Sequence, residues 1–421
     1  MQAMFGVRAL VVLACLLMQP VPGWAQVDQQ RAAAYFKEAQ ALCEKESAQL
    51  WAVSLCGPMV IADAATQTLA TNEPPPAGPR PPMLGFVNAP IEWGGVQWSA
   101  YVWSLIPADD AQARGRLLVH EMHHRVQPVL GQMLTGEPND HLDTKDGRYW
   151  LQLEWRALAA ALGSSGEPRT SAIRDALTFR STRRLLFPGT ANNERIDELR
   201  EGLAQYTGTV VAAPSTAAAV TDAIKQLADA ERAPTFVRTF AYPSGTAYGL
   251  LLDVFDPGWN RRMDPDPDLG WTLRAAAEID APANAEIAAS RYGGPALRLA
   301  EEKRHEEQQA RVAELRRRFV DGPMLLVPRS RGAMINTTWV TPIPGEGTVF
   351  FEYRVTGEWG RLESKGGLLE SADGLTLKLS APFRTEGPML SGDGWTVVLT
   401  SGWVARPGVR AGDFQIVRAD R

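Results

Sequence analysis

Histidine is scarce in this chain of 421 residues, with five in all, yet His120, His123 and His124 stand together in LLVHEMHHRV at residues 117–126. Read as a helix, the spacing puts His120 and His124 on one face, one turn apart. Two imidazoles so placed can hold one zinc ion. Glu121 follows the first and lies beside that face, where a general base for an activated water is needed. His123 points about 100° off the ligand face and reads as structural, or as a neighbour that orients a ligand. Two histidines leave a catalytic zinc site incomplete, because such sites take three protein ligands and keep a position for water. Two downstream carboxylates can supply the third: Glu154, in the helical string YWLQLEWRALAAAL, and Glu201, in ERIDELREGLAQYTG. Whichever is not the ligand would orient a ligand histidine or pair with Arg156 or Arg200. His141, in EPNDHLDTKDG, reads as a loop residue that is solvated or supports a ligand, and His305 as an exposed residue of a charged helix.

The string Glu201-Gly202-Leu203-Ala204-Gln205-Tyr206 resembles the Glu-Gly-x-Ala-x-Tyr helix of the gluzincin zinc metallopeptidases, the group that includes aminopeptidase-N-like and thermolysin-like enzymes. In the aminopeptidase-N-like branch that Glu is the third zinc ligand, so the resemblance favours Glu201. The gap from His124 is longer than in the best-known members, which keeps Glu154 open. A further string, Phe240-Ala241-Tyr242-Pro243-Ser244-Gly245, is similar to that branch's Tyr-x-x-Gly helix start, whose Tyr stabilises the oxyanion. The order of the three motifs is the family's order, over roughly residues 115–255. The resemblance implies a Zn2+ cofactor, Glu121 as general base and Tyr242 as oxyanion donor; Tyr206 and Tyr248 are weaker candidates for that donor, and a packed aromatic is the plain alternative for Tyr242. The branch's Gly-x-Met-x-Asn motif has no counterpart before His120. A copy at Gly332-Ala333-Met334-Ile335-Asn336 lies far downstream in a β-rich region and reads as chance.

The elements that must carry these residues follow from the rest of the chain. Residues 9–18 are an apolar run behind Arg8, broken by Pro20 and Pro22, with Gly23-Trp24-Ala25 as a small-x-small cleavage site. This predicts a secretory signal over residues 1–25, and a mature protein exported to the periplasm or the medium without a stable membrane span. In an oxidising compartment the two cysteines that remain, Cys43 and Cys56, form a candidate disulfide. Residues 26–110 are expected to hold a helix over 28–45, a strand over 50–55, a strand over 59–62, a Pro-rich loop over 72–82, and strands joined at Gly94-Gly95. Trp93, Trp98 and Trp103 are expected in the core. Residues 111–295 are expected to be mainly helical, with a basic stretch over 174–184 that forms a solvated or ion-paired face. The acidic loop at 263–270 (MDPDPDLG) reads as a solvated turn rather than a calcium site.

Residues 296–320 form a polar connector helix rich in opposite charges. From residue 321 onward short β-prone runs alternate with Gly-rich turns, which predicts a β-sandwich or small barrel. The expected fold is therefore α+β: a zincin-like, mainly helical catalytic domain with a small N-terminal mixed sheet, followed by an all-β sandwich domain. A net charge of −5 argues against nucleic acid as the main partner. The expected partner of the site is a peptide or protein substrate, and the β-rich domain is expected to pack on the catalytic domain or to bind substrate or a partner. Two other readings remain open from sequence: an inactive zincin-like binding protein, and a zinc hydrolase acting on a bond other than a peptide.

Overall fold

In a computed structural model, residues 26–419 are described, apart from residues 47, 133, 264–266, 280–283, 331–332, 336–339 and 382. The signal expected over residues 1–25, the centre of the acidic loop at 264–266, and both ends of the Gly332–Asn336 string lie outside the described residues. The chain is α+β, with a helical N-terminal part and a β-rich C-terminal part, and it divides into two compact units between Pro295 and Ala296.

The first unit opens with helix α1 (Gln29–Glu46), whose buried stripe of Ala32, Tyr35, Phe36, Ala39 and Cys43 follows helical spacing. Strands β1 (Met59–Asp63), β2 (Thr68–Thr71), β3 (Ala89–Trp93) and β4 (Val96–Val102) form a mixed sheet in the order β2-β1-β4-β3. β1 and β4 are parallel; the outer pairs are antiparallel. The β3–β4 turn needs positive φ at both central positions, 62° and 76°, and Gly94 and Gly95 supply them without strain. Strand alternation sends Met59 and Ile61 into a core shared with α1, and Val60 into a second cluster with Trp93 and Trp98 on the opposite face.

The strand expected over residues 50–55 is absent. That segment is a turn, with Ala48 and Ala52 at positive φ and Trp51 buried. Two ties bend it. The first is a disulfide between Cys43 and Cys56, whose Cα atoms lie 5.3 Å apart. The second is Arg125, whose guanidinium donates to the carbonyls of Leu55 and Cys56 at 2.9 Å each. Bridging residues 13 apart removes loop entropy from the unfolded chain. Reduction, or Cys43→Ser with Cys56→Ser, should therefore destabilise the first unit by about 2–3 kcal/mol. A thermal melt with and without reductant checks this, and unchanged midpoints would refute it.

Helix α2 (Ala111–Val126) carries the histidine string. Asp110 caps it by accepting from the Ala113 N–H at 2.9 Å. Leu118, Val119, Met122 and Val126 bury its inner face against α1 and Trp103. Strand β4 is fastened to it by Tyr101 Oη, which donates to the Leu118 carbonyl at 2.8 Å, and by Ser99 Oγ, which donates to the Glu121 carbonyl at 3.2 Å. Then follow α3 (Lys145–Leu162), α4 (Gly166–Leu186), α5 (Ala191–Asp197), a π-helical turn over Glu198–Gly202, α6 (Leu203–Ala212), α7 (Thr216–Ala230), α8 (Ala241–Phe255), α9 (Leu269–Ala276) and α10 (Ala285–Arg291). Among the described residues no helix is long and apolar enough to cross a membrane.

The second unit takes in most of the charged helix Gly294–Arg316 and the strands beyond it. His305 on that helix is half-buried and bonded to Gln309, not fully exposed as its polar surroundings suggest. Among the described residues the strands form a six-stranded antiparallel sheet and a seven-stranded sheet with one parallel pair, Phe414–Arg418 on Met324–Pro328. One hydrophobic cluster draws Leu325, Val327 and Leu377 from the larger sheet and Val355, Leu362 and Val397 from the smaller, so the two enclose a common core.

Candidate metal centre

His120 and His124 are one helical turn apart on α2, and their rings meet edge to face with Nε2 atoms 2.9 Å apart. Glu201 joins them from the π-helical turn. Its Oε2 lies 3.7 Å from His120 Nε2 and 3.3 Å from His124 Nε2. The three residues offer ligand atoms that all fall within 4.8 Å of one another. Two imidazole nitrogens and a carboxylate oxygen are the donor set of a catalytic metal site. Three donor atoms of these types converging at this separation fit a metal ion.

The electrostatics agree. Burial alone would raise the Glu201 carboxyl, but its hydrogen bonds to His120 and His124 outweigh this and hold it well below the usual range. Burial lowers His120. In His124 burial is outweighed by Glu201 and Glu121, and its pKa is raised. Arg200 donates to the other Glu201 oxygen at 3.2 Å.

The outward ring nitrogens are occupied. His120 Nδ1 lies 3.1 Å from Gln205 Oε1, and His124 Nδ1 lies 2.8 Å from Gln127 Oε1. Only the inward Nε2 atoms are left to face Glu201. Glu121, next along the helix, is 4 % exposed, and among the described residues its Oε2 has no hydrogen-bond partner. Burial pushes its carboxyl up to about 7, against the pull of His124. This buried acceptor lies close enough to His124 and Glu201 to feel their charges. Tyr242, in the first turn of α8, stacks parallel to the His120 ring at 5.5 Å. Burial and the nearby Glu201 charge raise its phenol above the usual range, so it keeps its proton and can donate.

Close backbone approach sets this arrangement. Helix α6 runs between α2 and α8, and glycines stand where it touches each. A Cβ on Gly208 would lie 2.5 Å from the Arg116 carbonyl of α2, and one on Gly202 would lie 2.8 Å from the Ala241 carbonyl and 2.9 Å from Gly245 Cα. The Gly after Glu201 is thus a packing requirement of the turn that carries the carboxylate. Gly245→Ala would put its methyl onto Gly202 Cα. It should cost about 3 kcal/mol and push Tyr242 away from His120. Melting temperature and metal affinity should fall together, and wild-type values for both would refute the packing argument.

Glu154, the other carboxylate considered for the third ligand, is elsewhere. It is fully buried between α3 and α4, where its oxygens bond Tyr248 Oη at 2.7 Å, Arg180 at 3.3 Å, and Arg183. His141 is likewise not a solvated loop residue: it is buried, with Nε2 2.8 Å from Glu194 Oε1. The basic stretch at 174–184 supplies the cations of the same network, with Arg180 and Arg183 buried rather than on a solvated face. His123 is buried too; burial takes its pKa down to about 3, and it bonds Gln132 at 3.1 Å and Thr207 at 3.3 Å beside Trp51. It locks α2 to α6 and stays neutral. Tyr206 and Tyr248 are spent on Asp253 and Glu154, which takes them out of the site. A cavity of about 350 Å3 beside Leu177, Arg184 and Trp271 shares no residue with the triad.

From sequence Gln127, the residue after the histidine string, has no role beyond a possible hydrogen bond, and nothing singles out Gln205. Both sit at helical distance from a ligand, three residues after His124 and four after Glu201. That spacing was the available signal.

Set against protein-family models, curated proteins and solved structures, the chain matches none. The class that fold and site define is therefore an α+β protein with a His-His-Glu group able to hold a metal ion, beside a buried carboxylate and a tyrosine.

Proposed function

We propose that the chain is an exported zinc metallopeptidase of the gluzincin type. The observation that carries the reading is the convergence of His120, His124 and Glu201 with Glu121 Oε2 buried beside them and, among the described residues, unpartnered. The small sheet packed on the α2 helix through β4 supports a zincin-like arrangement, and the Cys43–Cys56 disulfide supports export.

His120, His124 and Glu201 would hold the ion. Zinc, when bound, supplies Lewis-acid polarisation of the scissile carbonyl and lowers the pKa of a water. Glu121 Oε2 takes the proton of the attacking water and returns it to the leaving amine. Tyr242 Oη donates to the oxyanion that develops on the carbonyl. The stacked His120 ring holds the phenol in place, and the phenol stays neutral because it donates a hydrogen bond without giving up its proton. The β-rich unit is assigned to recognition of substrate or a partner.

The test is metal content of the purified mature protein. Wild type should carry about one zinc per chain. Glu201→Ala should lower this to near zero with little change in fold, and Glu154→Ala should keep zinc while destabilising the helices. A wild type that takes up no zinc on reconstitution, or a Glu201→Ala protein that keeps it, overturns the reading.

A further inference from the structure

Two hydrogen-bond chains run outward from the histidines, and each ends on a group that can only accept. On one side, His124 Nδ1 meets Gln127 Oε1 at 2.8 Å, and Gln127 Nε2 donates to the Arg200 carbonyl at 2.6 Å. A carbonyl has no proton to give. The Gln127 amide must therefore turn its NH2 to Arg200 and its oxygen to the ring. The ring nitrogen that meets an oxygen must carry the hydrogen, so His124 is protonated at Nδ1.

The other side is longer. His120 Nδ1 meets Gln205 Oε1 at 3.1 Å, and Gln205 Nε2 donates to Gln226 Oε1 at 2.7 Å. Gln226 Nε2 donates in turn to Asp222 Oδ2 and to Thr209 Oγ1, at 3.1 Å each. Asp222 also accepts from Arg116. An ionised carboxylate only accepts. Each amide upstream is then oriented in one sense, and the polarity passes without a break from Asp222 to the His120 ring.

We infer that Gln127 is a positioning residue for His124, and that Asp222, Gln226 and Gln205 form a positioning relay for His120, together fixing both rings as Nδ1–H with Nε2 presented to the metal. Neither chain touches the reacting atoms. Gln127 has a second effect, because Arg200 precedes Glu201: one amide orients a histidine and tethers the turn that bears the third ligand. Metal-bound imidazoles need this kind of support, since the hydrogen bond at one ring nitrogen decides which nitrogen is free to bind. The inference rests on the metal-site reading, but its tests separate from it.

The first test is nitrogen-15 NMR of the metal-free wild-type protein. Both His120 and His124 should show a protected Nδ1–H, whether or not Nε2 is protonated. Gln205→Leu should remove the His120 signal alone. The second test is zinc affinity by competition with a chromogenic chelator. Gln205→Leu should weaken binding by about 10–100-fold, and Gln226→Leu, which touches no ligand, by a smaller factor in the same direction. Gln205→Glu keeps an acceptor opposite Nδ1 and should restore affinity to near wild type, which a merely structural role would not do. Melting temperatures close to wild type exclude misfolding as the cause. Absence of Nδ1–H on either ring, or wild-type zinc affinity in Gln205→Leu, overturns the inference. A wild type with both Nδ1–H signals but no zinc binding overturns the proposed function and leaves the relay standing.

Discussion

Glu121→Gln is expected to lower kcat on a cleavable peptide by about 10²–10⁴-fold while zinc content stays at one per chain. The two side chains have the same shape, so the packing of α2 on β4 and the Ser99 bond to the residue-121 carbonyl are preserved. What is lost is a basic oxygen. Among the described residues Glu121 Oε2 is buried with no protein donor, and burial brings its carboxyl to about 7, so it is a better base than an exposed carboxylate. An amide cannot take the proton. Binding of substrate should change little, which places the loss in kcat rather than KM. A peptide-library assay on the zinc-loaded variant checks this. Undiminished cleavage would remove Glu121 from the chemistry, and loss of zinc would show that the substitution disturbed the ligands instead. Should the wild type bind zinc yet cleave nothing in the library, a binding protein or a hydrolase of another bond becomes the better reading.

Arg183→Met is expected to destabilise the first unit by about 3–5 kcal/mol. Arg183 is fully buried and bonds Glu194 through Nε at 2.8 Å and through its outer nitrogen at 3.1 Å, with Glu154 on the remaining nitrogen. Both carboxylates are themselves fully buried. Removing the cation leaves two charges out of water with fewer partners, and that penalty exceeds anything a well-packed Met returns. Acid should expose the same network. Burial by itself would raise Glu194, but Arg183, His141 and Arg184 outweigh it and hold its pKa well below the usual value. A folded pKa below the unfolded one contributes stability that is complete above the unfolded value, about 4.3, and is lost as pH falls towards the folded one. The wild-type melting temperature should therefore drop steeply below about pH 4, and Glu194→Gln, less stable at neutral pH, should show a shallower drop. Parallel acid limbs in the two proteins would mean that Glu194 is not the group responsible.

These expectations differ in how far the sequence alone could carry them. The histidine spacing needs only a helix to bring two imidazoles together, and α2 supplies one with an Asp cap and an apolar inner face. The same holds for the Gly94-Gly95 hairpin, where local backbone chemistry decides. Residues 50–55 were misread because the string LWAVSL is β-prone by composition, while the disulfide and Arg125, both non-local, bend it into a turn. His141 and the arginines of 174–184 show the same effect: the stretch is ion-paired, one of the two alternatives the sequence leaves, but Arg180, Arg183 and His141 are buried rather than on a surface face. Polar residues are exposed by default. Only the arrival of Glu154, Glu194 and Glu198 from three other segments makes it affordable to bury them.

What the sequence by itself determined is the α+β class, the shift to β-rich structure in the C-terminal part, and the His120–His124 pair; Cys43 and Cys56 were candidates whose pairing the 5.3 Å between their Cα atoms decided. The first three depend on periodicity or spacing within a short window. The choice of Glu201 over Glu154 was left to the tertiary structure, as were the burial of Glu121 and the two amide chains behind the histidines. All three depend on how closely α6 can approach α2 and α8, and that distance is set by glycines meeting backbone across segments far apart in the chain. Both glutamates lie in helical strings with the right chemistry. Only the packing of those helices puts one carboxylate 3.3 Å from His124 and closes the other in among arginines.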